Sequence, residues 1–155
     1  MNGKYYLGLD LGSSAVKGIL RRPGGDSLKA RQTYGEISPA GWADAAARVI
    51  ADLRRNCPGE IAAVGLSAQV GTYVVNDRYI IGWQDNAGRE ELEEIRTKIT
   101  RQEFLEEIGM AHPDLISYPL PRLLHIQRRW GRDSRAYKLH VLSGSIRWKH
   151  SWSLA

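Results

Sequence analysis

Cysteine, phenylalanine and methionine are scarce in this 155-residue chain, which holds one Cys, one Phe and two Met. A lone Cys57 cannot close an internal disulfide, and with no export signal the expected setting is a reducing cytoplasm. No apolar run approaches the ~20 residues that a membrane-spanning helix needs. Met1-Asn2-Gly3-Lys4 leads directly into a patterned segment containing Asp10, not into the apolar stretch of a secretory leader. His112, His125, His140 and His150 show no metal-ligand spacing with Cys57, and no histidine lies near it in sequence, which argues against a thiol nucleophile. What remains is ordinary globular material, 43% hydrophobic and 25% charged, which excludes a disordered or collagen-like chain. The length suits one domain, with a core hiding roughly two-thirds of the surface that the unfolded chain exposes.

Acidic residues are also scarce at one end. From Arg122 onward eight Lys/Arg face a single acid, Asp133, whereas residues 1–121 hold 14 basic and 16 acidic residues. The formal charge of +5 therefore belongs to the tail. A basic tail can follow nucleic acid, or it can be a solvated or interdomain face that meets an acidic neighbour.

The spacing of apolar residues predicts strands over Tyr5–Asp10, Ala15–Leu20 and Ser27–Tyr34, joined by the turns Gly12-Ser13-Ser14 and Pro23-Gly24-Gly25-Asp26. That is an antiparallel meander. Ser38-Pro39 then opens a helix, with Ser38 as N-cap and Trp42, Ala45, Ala46, Val49, Ile50 and Leu53 forming one apolar stripe. Ile61–Ser67 is short and continuously apolar and reads as a central strand covered on both faces. A small hairpin is expected around Asn76-Asp77, helices over Asp85–Lys98 and Arg101–Ile108, and a loop over Met110–Pro121. A helix over Leu123–Trp130 and a strand over Tyr137–Leu142 follow. The order is that of an α/β domain with a mixed sheet. The Glu90–Glu94 cluster reads as a solvated helix face.

Chemistry concentrates in Asp10-Leu11-Gly12-Ser13-Ser14-Ala15-Val16-Lys17. Glycine lets the backbone approach a ligand, and successive turn N–H groups form a concavity suited to anions. Ser13 and Ser14 add hydroxyls, Lys17 adds a point charge for phosphate, and Asp10 can hold Mg²⁺ through water. The pattern differs from a Walker loop, which opens a helix. The alternative is a tight hairpin in which Asp10 caps its own turn.

The hairpin, with the third strand and helix after it, resembles the first phosphate motif of the sugar kinase/Hsp70/actin superfamily. Ile61 to Gln69, ending Gly65-Leu66-Ser67-Ala68-Gln69, and Gly82-Trp83-Gln84-Asp85 are similar to the G-x-S-x-Q and W-x-D segments of FGGY carbohydrate kinases. Arg122-Leu123-Leu124-His125-Ile126 resembles that family's K-L-L-W-[IL] helix, with Arg122 for lysine and His125 for tryptophan. The resemblance implies a ribonuclease H-like (actin-like ATPase) domain with a mixed five-stranded sheet and flanking helices, incomplete here. It spans residues 1–150, with residues 151–155 as a non-family tail.

On the same resemblance, Asp10, Gly12, Ser13, Ser14 and Lys17 face the phosphates and metal of Mg²⁺–ATP, while Gln69, Trp83, Asp85 and Tyr118 belong to a sugar or polyol site. An indole face beside sugar C–H groups is physically sensible, though Trp83 can equally be a core aromatic and Gln69 a strand-end amide serving loop backbone. Val70-Gly71-Thr72 matches neither the glycerol kinase nor the xylulose kinase pattern, and Ala87 stands where the family has the arginine that partners Asp85. The general-base aspartate and the C-terminal lobe are expected beyond the chain end, which makes phosphoryl transfer by these 155 residues alone unexpected. Two further classes compete. One is a nonenzymatic nucleotide- or partner-binding remnant that self-associates through exposed apolar surface. The other is a ribonuclease H-like nucleic-acid enzyme using Asp10, disfavoured because no acid follows Ile61–Ser67.

Overall fold

The computed structural model describes residues 3–131 and the backbone of residues 139–141. The chain divides into two compact units, with the break between Gln69 and Val70.

The first unit is a mixed sheet of β1 (Lys4–Leu11), β2 (Ala15–Arg21), β3 (Ser27–Thr33) and β4 (Glu60–Ala68) in the order β3-β2-β1-β4. The meander pairs antiparallel, and β4 returns parallel to β1 after the helix α1 (Pro39–Arg55). Ser38 caps α1 by accepting a hydrogen bond from the Gly41 N–H (3.0 Å), and Pro39 follows as expected. All six stripe residues from Trp42 to Leu53 are buried, and α1 packs chiefly over β2 and β3. Gly18 makes the close approach possible, since a Cβ there would lie 2.4 Å from Val49 Cγ1 and 2.7 Å from Leu53 Cδ1.

Two expectations about this sheet are corrected. It has four strands among the described residues, not five, because the strand near residue 140 joins the second unit. β4 is not covered on both faces: among the described residues it forms an edge, and every residue from Ala62 to Ser67 is exposed. An apolar run marks a strand fit for burial but cannot say what covers it, and α1 sits over the strands farther from β4.

The second unit holds a three-stranded antiparallel sheet, β5 (Tyr73–Val75), β6 (Tyr79–Ile81) and β7 (Leu139–Val141), in the order β6-β5-β7. Asn76 and Asp77 make the expected hairpin turn, both with positive φ (54° and 60°), the conformation that the two-residue primed turns require. Tyr73, Val75, Ile81 and Ile126 form a cluster flanked by Ala87 and Trp130.

Three helices complete it: α2 (Arg89–Lys98), α3 (Arg101–Ile108) and α4 (Pro119–Trp130). α3 matches expectation, with a Thr100–Glu103 capping box and Gly109 left-handed at its end. α2 begins at Arg89 rather than Asp85, because Asp85 is engaged in a turn. α4 begins four residues earlier than expected: prolines in a first helical turn remove only N–H groups that have no intrahelical acceptor. Glu91 is also not solvated as expected. It is buried between α2 and α4, 3.4 Å from Arg128 and 3.5 Å from His125. The basic tail from Arg132 to Lys138, and everything after Val141, lie outside the described residues, and with them the boundary expected at residue 150.

Candidate functional site

Antiparallel pairing places Asp10 opposite Lys17, so the two charged side chains share the sheet face turned away from α1. The same row continues to Arg31 on β3 and Ser67 on β4. With Gly8, Gly65 and Ile19 these residues line an open concavity of about 740 Å³. The Asp10 side chain makes no hydrogen bond or ion pair among the described residues, so it does not cap its own turn. Its carboxylate is available to a hydrated cation. The described residues contain no cluster of three metal-ligating side chains.

The Gly12-Ser13-Ser14 turn follows. The Gly12 N–H donates to the Ala15 carbonyl (3.0 Å), closing the turn, while Ser13 and Ser14 stay exposed. Tyr34, just beyond β3, holds the turn from behind. Its hydroxyl donates to the Gly12 carbonyl (2.9 Å), and its own N–H donates to the Ser14 carbonyl (3.2 Å). Burial, and then the negative charge of Asp10, pushes the Tyr34 hydroxyl up to about 12, so it remains a donor at neutral pH. Two turn carbonyls are thus tied inward. The Ser13 and Ser14 N–H groups have no backbone partner among the described residues, an arrangement suited to an anion.

The sequence did not single out Tyr34. Its signal was the strand register: Ala15 pairs with Thr33, which brings the next residue beside Ser14.

The residues expected at a sugar site fall in both units. In the first, Gln69 follows β4, and its N–H donates to the Leu11 carbonyl (2.9 Å), fixing the strand end. In the second, Trp83 is 43% exposed, which removes the core-aromatic alternative. Asp85 folds its loop, with Oδ2 accepting from the Gly82 N–H (2.6 Å) and its own N–H donating to the Gly82 carbonyl (3.1 Å). Tyr118 is the exposed residue before α4.

Arg122 organises this loop. Its side chain is fully buried, and its guanidinium donates to the carbonyls of Gly82 (2.8 Å), Trp83 (3.3 Å), Asp85 (2.9 Å) and Ala87. Burial draws its pKa down, opposed by attraction to Asp85 and Tyr73. Arg122 reaches the main-chain carbonyl of Asp85 rather than its carboxylate. Cys57 has a structural role, its thiol donating to the Gly59 carbonyl (3.2 Å).

No family model and no curated protein sequence matches the chain. Solved structures do. A gluconate kinase from Lactobacillus acidophilus is 22% identical, with a TM-score of 0.72 over 94% of this chain and 32% of its own. A ligand-bound xylulose kinase from the same organism is 24% identical, with a TM-score of 0.65 over 81% of this chain and 29% of its own. Plasmodium falciparum glycerol kinase with ADP is 12% identical, with a TM-score of 0.72 over 94% of this chain and 34% of its own. The chain has the fold of these sugar kinases and spans about a third of their length.

Proposed function

We propose that the chain carries the phosphate-binding hairpin of an ATP-dependent cytoplasmic kinase that transfers the γ-phosphoryl group to a sugar or polyol hydroxyl. One observation carries the reading: the Gly12–Ser14 turn has its Gly12 and Ser14 carbonyls bonded to Tyr34 and its serine amides without a backbone partner among the described residues, with Asp10 and Lys17 opposite each other on the adjoining strands. Gly12, Ser13 and Ser14 seat the terminal phosphates, Lys17 offsets their charge, and Asp10 holds the water shell of Mg²⁺. When bound, the metal neutralises charge that builds up on the transferring group.

Trp83, Asp85 and Tyr118 of the second unit are assigned to acceptor binding on the family resemblance, and so, separately, is Gln69 of the first. An exposed indole and phenol offer faces to sugar C–H groups, and the amide and carboxylate partner hydroxyls. The solved relatives, a gluconate kinase, a xylulose kinase and a glycerol kinase, support a polyhydroxylated acceptor. A general base is assigned to none of the described residues. With about a third of the relatives' length in hand, turnover is not expected from these 155 residues, because phosphoryl transfer needs groups on several sides of the nucleotide.

Calorimetric titration of the 155-residue chain with Mg²⁺–ATP tests the reading. Heat is expected that falls at least tenfold in apparent affinity, about 1.4 kcal/mol, in Asp10→Ala and Lys17→Ala. Heat that both variants leave unchanged would place the nucleotide elsewhere.

A further inference from the structure

We infer that Tyr34 is a positioning residue of the phosphate hairpin, its hydroxyl setting the direction in which the Ser13 N–H points. The Gly12 carbonyl and the Ser13 N–H belong to one peptide unit, and in a planar trans peptide they point in opposite directions. A donor that holds the carbonyl on one side therefore holds the N–H on the other. Tyr34 supplies that donor at 2.9 Å, from behind the turn. The second tie, from the Tyr34 N–H to the Ser14 carbonyl (3.2 Å), anchors the last turn residue to the same point.

Without the hydroxyl, the Gly12–Ser13 peptide is free to rotate, since its glycine side carries no Cβ to resist the change. The turn itself would survive, closed by the bond from the Gly12 N–H to the Ala15 carbonyl (3.0 Å). The amide would then be oriented only part of the time, and an anion would have to order it on binding. That cost appears as lost affinity in molecules that are otherwise folded. Tyr34 touches neither phosphate nor metal in this scheme; it acts through the Gly12–Ser13 peptide.

The inference rests on the phosphate reading above, and one experiment separates the two. The 155-residue chain and its Tyr34→Phe variant are labelled with ¹⁵N and titrated with Mg²⁺–ATP, with Asp10→Ala as the control for the site. The Ser13 and Ser14 amide resonances should shift in the parent chain. In Tyr34→Phe the affinity should fall about threefold to tenfold, the range expected for one hydrogen bond. The free variant should also show a displaced or broadened Ser13 amide while resonances of α1 stay in place. A role in stability alone would lower the melting temperature but leave the affinity of the folded molecules unchanged. Equal affinity in parent and Tyr34→Phe, with Asp10→Ala impaired, overturns the inference and leaves the phosphate reading standing. No ligand-induced shift in the parent chain overturns both.

Discussion

Arg122 puts a full positive charge where water does not reach, and it has no carboxylate within bonding distance among the described residues. Four main-chain carbonyls take that role, from a loop 35 to 40 positions earlier in the chain. An arginine suits the task because its planar guanidinium spreads five donors over a wide fork, whereas an ammonium presents three from one atom. Replacing it with alanine takes the donor from four partly buried carbonyls, of which that of Gly82 keeps another in the Asp85 N–H; each one left unsatisfied costs about 1–3 kcal/mol. Arg122→Ala is therefore expected to destabilise the second unit by about 3 kcal/mol or more, read as a lowered urea midpoint by circular dichroism. Arg122→Lys should recover only part of it. A loss under about 1 kcal/mol in the alanine variant would mean that the loop holds itself through Asp85. The sequence showed Arg122 only as a stand-in for a lysine. Its partners are backbone oxygens, which leave no mark in the order of side chains, so its work could not be read there. Asp10, Gly12, Ser13, Ser14 and Lys17 were legible because residue type and immediate spacing define a hairpin of that kind.

Elements whose signals are local emerged as the sequence indicated. Helix α1 declares its start through Ser38 and Pro39, and its buried face through six apolar residues at helical spacing. Where an element's limits depend on distant partners, the sequence was less informative. α2 loses its expected first turn because Asp85 bonds to Gly82. α4 gains one because proline is tolerated where the N–H has no acceptor. Glu91 was indistinguishable in sequence from its solvated neighbours until α4 brought His125 and Arg128 onto it. A close inter-element fit lies between α1 and β2, at Gly18. A methyl group there would overlap Val49 and Leu53, both in the stripe that seats the helix. Gly18→Ala should cost about 1–3 kcal/mol, the usual range for overpacking a close-packed contact. Thermal unfolding of the first unit's signals provides the measurement. An unchanged midpoint would show that α1 can shift outward without loss.

At the scale of the whole chain, the sequence identified the fold through motifs in the right order, while the sheet's surroundings escaped it. Ile61–Ser67 has the composition of a strand enclosed on all sides, yet β4 pairs with β1 alone among the described residues and exposes Val64 (47%) and Leu66 (39%). Between Ile61 and Gln69 there is neither a charge nor a proline, the devices by which edge strands usually discourage further pairing. The outer row of N–H and C=O groups of β4, unpaired among the described residues, forms a template for another strand. The isolated 155-residue chain is therefore expected to self-associate, with a sedimentation-derived mass that rises above 17.4 kDa as concentration increases. Val64→Lys and Leu66→Lys together should return it to a monomer without changing its circular dichroism, because both side chains already face solvent and their replacement removes little packing. A parent chain that sediments as a monomer throughout would show that this edge is protected in solution. An oligomer unaffected by the double lysine variant would place the contact on another surface.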